Sequence, residues 1–175
     1  MNLFLIGYRC TGKTTIGKSI AATIDWSFVD SDLLVIKECK KSIKDIIDTE
    51  GWQAFRRVER SMIKQVCTKD RQVVATGGGA VLDTNNVRAM ETSGIIVWLR
   101  ATAETIRERM VQDENSRTLR PALTDKGPVA EIEEVLLARH PYYENASDFD
   151  IPTDDVPVNE ITKRIIQDMK GKKGA

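Results

Sequence analysis

The chain has 175 residues, 41% of them hydrophobic, and its 26 basic and 26 acidic side chains balance. That length suits one domain with a sizeable core, and the balance gives no global reason to expect nucleic acid or an anionic membrane as partner. The three cysteines, Cys10, Cys39 and Cys67, fit neither a zinc site nor a disulfide framework.

In chain order, the apolar run 3–6 ends at Gly7 and reads as a strand buried on both faces. It is too short for a signal peptide, and no stretch reaches the roughly 18 apolar residues of a spanning helix. A soluble, cytoplasmic, monomeric protein is therefore expected. Apolar residues at helical spacing predict a helix over 13–24, followed by a strand over 26–29. Residues 43–67 read as helix with a break near Glu50-Gly51, and 72–75 as a third strand. The strand at 94–99 precedes a helix over 103–111. The polar stretch 112–126 reads as a mobile loop, 129–144 as helix, 148–151 as a last strand, 159–169 as a terminal helix and 170–175 as a frayed tail. Alternation of apolar strands with helices indicates an α/β fold with a mainly parallel sheet, in which ligands bind at the carboxyl ends of the strands.

The segment Gly7-Tyr8-Arg9-Cys10-Thr11-Gly12-Lys13-Thr14 fits the phosphate-loop pattern G-x4-G-K-[ST], after a strand and opening a helix as that motif requires. Gly7, Cys10, Thr11 and Gly12, with Lys13, Thr14 and Thr15 at the helix start, are the candidate nucleotide ligands. Backbone N–H groups and the helix N-terminus would hold the phosphates of ATP, Lys13 would reach the β- and γ-phosphates, and the Thr14 hydroxyl would ligate Mg²⁺. A GTPase is argued against: Asp48-Thr49-Glu50-Gly51 spells D-x-x-G but lies inside a predicted helix, and no N-K-x-D is present.

Asp30 and Asp32 close the second strand, where one carboxylate can serve the metal shell and the other can accept a hydroxyl proton. Helix capping ahead of Leu33-Leu34-Val35 is the competing reading. The turn Thr76-Gly77-Gly78-Gly79-Ala80 permits close backbone approach to a ligand. Arg56-Arg57, Arg117, Arg120 and Arg139 are each divided between solvated surface and anion binding. Taken together, they point to a second anionic ligand, such as a carboxylate held bidentately.

These segments, with Phe55-Arg56-Arg57-Val58-Glu59, Arg117-Thr118-Leu119-Arg120-Pro121-Ala122-Leu123 and Arg139-His140-Pro141-Tyr142-Tyr143, resemble the shikimate kinases in order and spacing over residues 2–169. The resemblance implies a three-layer α/β/α P-loop NTPase of the nucleoside-monophosphate-kinase type with a five-stranded parallel sheet. It implies one domain over 1–175, with a substrate-binding segment near 31–60 and a lid near 112–126. ATP with Mg²⁺ and the small molecule shikimate are the implied ligands, within aromatic amino acid biosynthesis. Asp30, with Thr14, would support Mg²⁺, and Asp32 would take the acceptor proton. Arg56 and Arg139 would clamp the carboxylate, Glu59 would support Arg56 or a substrate hydroxyl, and Gly77, Gly78 and Gly79 would meet the ring substituents. Arg120, with Arg117 beside it, would reach the ATP phosphates from the lid, and Pro157 ends the loop that borders adenine. Two positions depart from the family: Cys10 stands where glycine is usual, and Trp52, expected to pack locally, stands where glutamate is common. A gluconate kinase or a non-catalytic nucleotide-binding regulator are the alternatives; intact Lys13, Thr14 and Asp32 argue against the regulator. His140, beside Pro141, reads as structural.

Overall fold

The computed structural model describes residues 1–112, 123, 127 and 129–172. Arg117, Arg120 and nearly all of the expected lid lie outside the described residues.

Five strands, β1 (Asn2–Ile6), β2 (Ser27–Asp30), β3 (Gln72–Ala75), β4 (Gly94–Arg100) and β5 (Phe149–Pro152), form one sheet in the order β2-β3-β1-β4-β5. Every pairing is parallel. The centre explains the apolar run at the amino terminus: in register with Val73 and Ile95, Leu3 is covered on both faces. A strand so placed cannot alternate polar and apolar residues.

Among the described residues, seven α-helices flank the sheet: α1 (Lys13–Ile24), α2 (Ser31–Cys39), α3 (Ile43–Cys67), α4 (Thr84–Ser93), α5 (Ala103–Gln112), α6 (Ile132–Ala146) and α7 (Val158–Lys172). On one face Ile16 and Ile20 of α1 and Ile161 and Ile165 of α7 close over Leu3, Leu5, Val73 and Val97. On the other, Ile63, Met90 and Tyr143, from α3, α4 and α6, close over Phe4, Val74 and Ile96. This is the three-layer α/β/α arrangement. The expected break in α3 falls at Gly51, whose φ of 83° and ψ of 166° interrupt the helix. Asp48 to Gly51 therefore lie in a kinked helix and not at a strand end.

Helix α4 is absent from the sequence reading. Its apolar content is low and it buries only Asn86 and Met90, so no periodic stripe announces it; Asp83 caps it by accepting from the Asn85 N–H. The terminal helix also runs three residues past the expected end, through Lys172.

Candidate active site

The loop between β1 and α1 is held by its own side chains. Lys13 donates to the carbonyls of Gly7 and Tyr8, at 2.8 and 2.6 Å, and the buried Thr11 hydroxyl donates to Tyr8 O at 2.9 Å. The Lys13 ammonium thus spans the mouth of the loop, where phosphate charge is received. Gly12 and Cys10 both carry left-handed backbone, with φ of 93° and 61°. Such a value suits glycine and costs a thiol-bearing residue on the order of 1 kcal/mol. Arg109 of α5 donates to Cys10 O at 3.3 Å and to Thr153 O at 2.6 Å, tying the loop to the turn after β5. Pro157 lies beyond that turn, exposed, where its carbonyl receives the first amides of α7.

Asp30 serves two partners. Its Oδ1 accepts from the N–H groups of Asp32 and Leu33, capping α2, and its Oδ2 accepts from the Thr14 hydroxyl at 3.1 Å. The two readings of this aspartate are therefore not alternatives. Thr14 and Asp30 place hard oxygen donors together at the edge of the loop. Mg²⁺ is usually held by one or two protein oxygens and completes its shell with water and phosphate, so this pair fits it. Thr15 beside them is exposed.

β2 and β3 are neighbours, with Asp30 level with Ala75, so their carboxyl ends bring residues 30–32 against residues 76–79. The Gly77 N–H donates to Ser31 Oγ at 2.9 Å and locks the two together. A pocket opens here, walled by Asp32, Trp52, Phe55, Arg56, Glu59, the three glycines and Arg139, with Tyr8, Arg9, Ile43 and Leu123 around it. The glycines are needed for room. A Cβ on Gly77 would stand 2.6 Å from Asp32 Oδ1 and 2.8 Å from Glu59 Oε1, and one on Gly79 would stand 2.3 Å from Arg56 Nη2. Gly78 lies against the backbone of Gly7 and Arg9, so the pocket adjoins the phosphate loop.

Besides Arg9, the guanidinium groups of Arg56 and Arg139 line this pocket. Arg56 is paired with Glu59 at 2.5 Å and lies over the rings of Trp52 and Phe55, 5.5 and 5.1 Å from their centroids. Arg139 donates to Gly78 O at 3.1 Å. Arg57, the neighbour of Arg56, points to solvent. Glu59 is 1% exposed and its Oε1 has no hydrogen-bond partner among the described residues. Burial pushes its carboxyl above the usual range, against the pull of Arg56. Trp52 packs locally, edge-on to Phe55 at 6.1 Å, and also lines the pocket.

One supporting residue lies behind the glycine wall. Tyr143 donates from its buried hydroxyl to Gly78 O at 2.5 Å. The available signal is its place four residues after Arg139, on the same face of one helix. Burial raises both tyrosines of the site, Tyr143 in direction and Tyr8 to about 12, so each is a neutral phenol at physiological pH. His140 lies outside the pocket, edge-on to Trp98 at 5.0 Å.

A family model described as shikimate kinase matches residues 9–170. The chain is 40% identical to a shikimate kinase of Thermodesulfovibrio yellowstonii, over 95% of this chain and 94% of that one. It is 36% identical to shikimate kinase 2 of Yersinia enterocolitica, over 98% and 97% of the two chains. Among solved structures, the Acinetobacter baumannii shikimate kinase in complex with shikimate superposes with a TM-score of 0.90 at 28% identity, covering 98% of this chain and 94% of that one. The chain belongs to the shikimate kinase family.

Membership makes the protein an ATP- and Mg²⁺-using phosphotransferase of the P-loop α/β fold. No helix among the described residues is long and apolar enough to cross a membrane.

Proposed function

We propose that the protein transfers the γ-phosphoryl group of ATP to shikimate, giving shikimate 3-phosphate for chorismate and aromatic amino acid biosynthesis, as a monomer in the cytoplasm. The observation that carries this reading is the convergence of the Asp32 carboxylate with the Arg56 and Arg139 guanidinium groups, beside the Arg56-paired Glu59 and the Glu131-paired Arg9, on a pocket that abuts the phosphate loop. An acceptor carrying a carboxylate and a hydroxyl is the chemistry this arrangement receives.

In the proposed mechanism Arg56 and Arg139 hold the acid's carboxylate, and this fixes the ring. Asp32, held at the start of α2, accepts the proton of the attacking hydroxyl. Glu59 keeps Arg56 aimed at the pocket, while the Gly77–Gly79 backbone lets the ring approach. Lys13 offsets charge on the transferring group, a task the resemblance shares with Arg120 and, beside it, Arg117. Thr14 and Asp30 would hold Mg²⁺, which would offset the negative charge of the nucleotide phosphates.

The test is ADP release with MgATP and, separately, shikimate, quinate, gluconate or no acceptor. Turnover confined to shikimate supports the reading. Turnover with gluconate instead would keep the kinase and overturn its substrate, and ATP binding without any acceptor-dependent ADP release would favour a regulator.

A further inference from the structure

Glu131 occupies the residue before α6, the usual place for a capping side chain, yet its carboxylate makes no cap. It turns inward and is fully buried. One oxygen accepts from Arg9 Nη2 at 3.3 Å and the other from the Leu123 N–H at 2.6 Å. Arg9 belongs to the phosphate loop, is itself buried, and lies over the Tyr8 ring at 5.6 Å. Arg9, Tyr8 and Leu123 all line the acid pocket. Around them Ile106, Met110, Ile132 and Val135 make a small apolar cluster with Tyr8.

A buried ion pair is an inefficient way to stabilise a fold, since desolvation offsets most of the attraction and apolar side chains of similar volume do as well. What the pair does supply is direction. A carboxylate with one oxygen on a guanidinium and the other on an amide fixes both partners relative to each other. Here one partner belongs to the nucleotide loop and the other to the pocket lining.

We propose that Glu131 is a positioning residue that couples the phosphate loop to the acid pocket. Through its two oxygens, the placement of Arg9 sets the placement of Leu123, so occupancy of the loop alters affinity for the acid, and the reverse holds by linkage. The inference rests on the shikimate reading above.

The experiment measures the shikimate KM at low and at saturating MgATP for the native protein, for Glu131→Gln, and for the paired variant Arg9→Gln/Glu131→Gln. The pair removes both charges of this contact together, and circular dichroism checks that each variant folds. The native values are expected to differ several-fold between the two MgATP levels, within the usual range of coupling between sites. In both variants the two values should agree within about twofold, at about ten times the native value at saturating MgATP. A merely structural role would lower stability or kcat and leave the dependence on MgATP in place. Persistence of that dependence in a folded variant overturns the inference, as does a native protein without it. Absence of shikimate turnover in the native chain overturns the functional reading and this inference with it, whereas native turnover with an unchanged variant overturns this inference alone.

Discussion

Thr14 and Asp30, sixteen residues apart, meet in a hydrogen bond of 3.1 Å from hydroxyl to carboxylate, while the other oxygen of Asp30 caps α2. The helix that carries Asp32 is thus anchored by the same carboxylate that accepts from Thr14 beside the phosphate loop. Asn caps helices about as well as Asp, so the two duties can be separated. Asp30→Asn should raise the Mg²⁺ concentration for half-maximal activity by about tenfold, as loss of a charge-assisted contact does, with the melting temperature nearly unchanged. Asp30→Ala should lose the cap as well and cost about 1 kcal/mol more, read by denaturant unfolding. Equal stability of the two variants would remove the capping role.

Asp32 lies in the first turn of α2, buried against Gly77. Asp32→Asn keeps the volume and removes the proposed base. The expected loss in kcat is on the order of a hundredfold or more, with the KM for ATP near native. Near-native turnover of this variant would show that the hydroxyl proton goes elsewhere.

The two arginines differ in what they leave behind. Arg139→Ala should raise the shikimate KM by about a hundredfold and leave ATP binding and melting temperature near native, because its bond to Gly78 O duplicates that of Tyr143. Arg56→Ala should raise the same KM and also cost about 3 kcal/mol of stability, since the buried Glu59 loses its counter-ion. If both constants of the Arg139 variant rose equally, the carboxylate clamp would be wrong.

Gly79 can be tested by one methyl group. The Cβ of Gly79→Ala would meet the Arg56 guanidinium at 2.3 Å. That side chain is long and can swing away, so folding should survive with a shift of a few degrees in melting temperature, while the shikimate KM rises about tenfold or more. An unchanged KM would mean that Arg56 is not held where the pocket needs it.

Glu59 gives a pH signature. Its folded carboxyl titrates above the ordinary value of 4.5 because burial disfavours the charge. The protonated form is therefore favoured by folding, and its stabilising contribution is complete below 4.5 and is lost as pH rises through the raised value. Asp45, Asp83 and Asp154, whose carboxyls are lowered, act in the opposite sense and only below their ordinary 3.8. Melting temperatures of the native protein and of Glu59→Gln from pH 4.5 to 7.5 should diverge in favour of the variant as pH rises. Parallel curves would place the Glu59 titration outside this window.

The sequence by itself determined what is local. The phosphate loop lies within eight consecutive residues, the parallel strands show as unbroken apolar runs, and the kink of α3 follows from a glycine. These are decided by backbone geometry and by neighbours a few positions away. Only the tertiary structure decided that Arg56 faces a pocket while Arg57 faces water, since both lie on one helix and only packing against Trp52, Phe55 and Glu59 separates them. It alone joined Tyr143 to Gly78 and Glu131 to both Arg9 and Leu123, because partners up to 122 positions apart in the chain meet only when strands and helices have packed. It also gave α4, whose sparse apolar content writes no period of its own. The carboxylates show the division most plainly: Asp30 and Asp32 could be named from a strand end, but Glu131 carries no motif, and its place between the two halves of the site exists only in the folded chain.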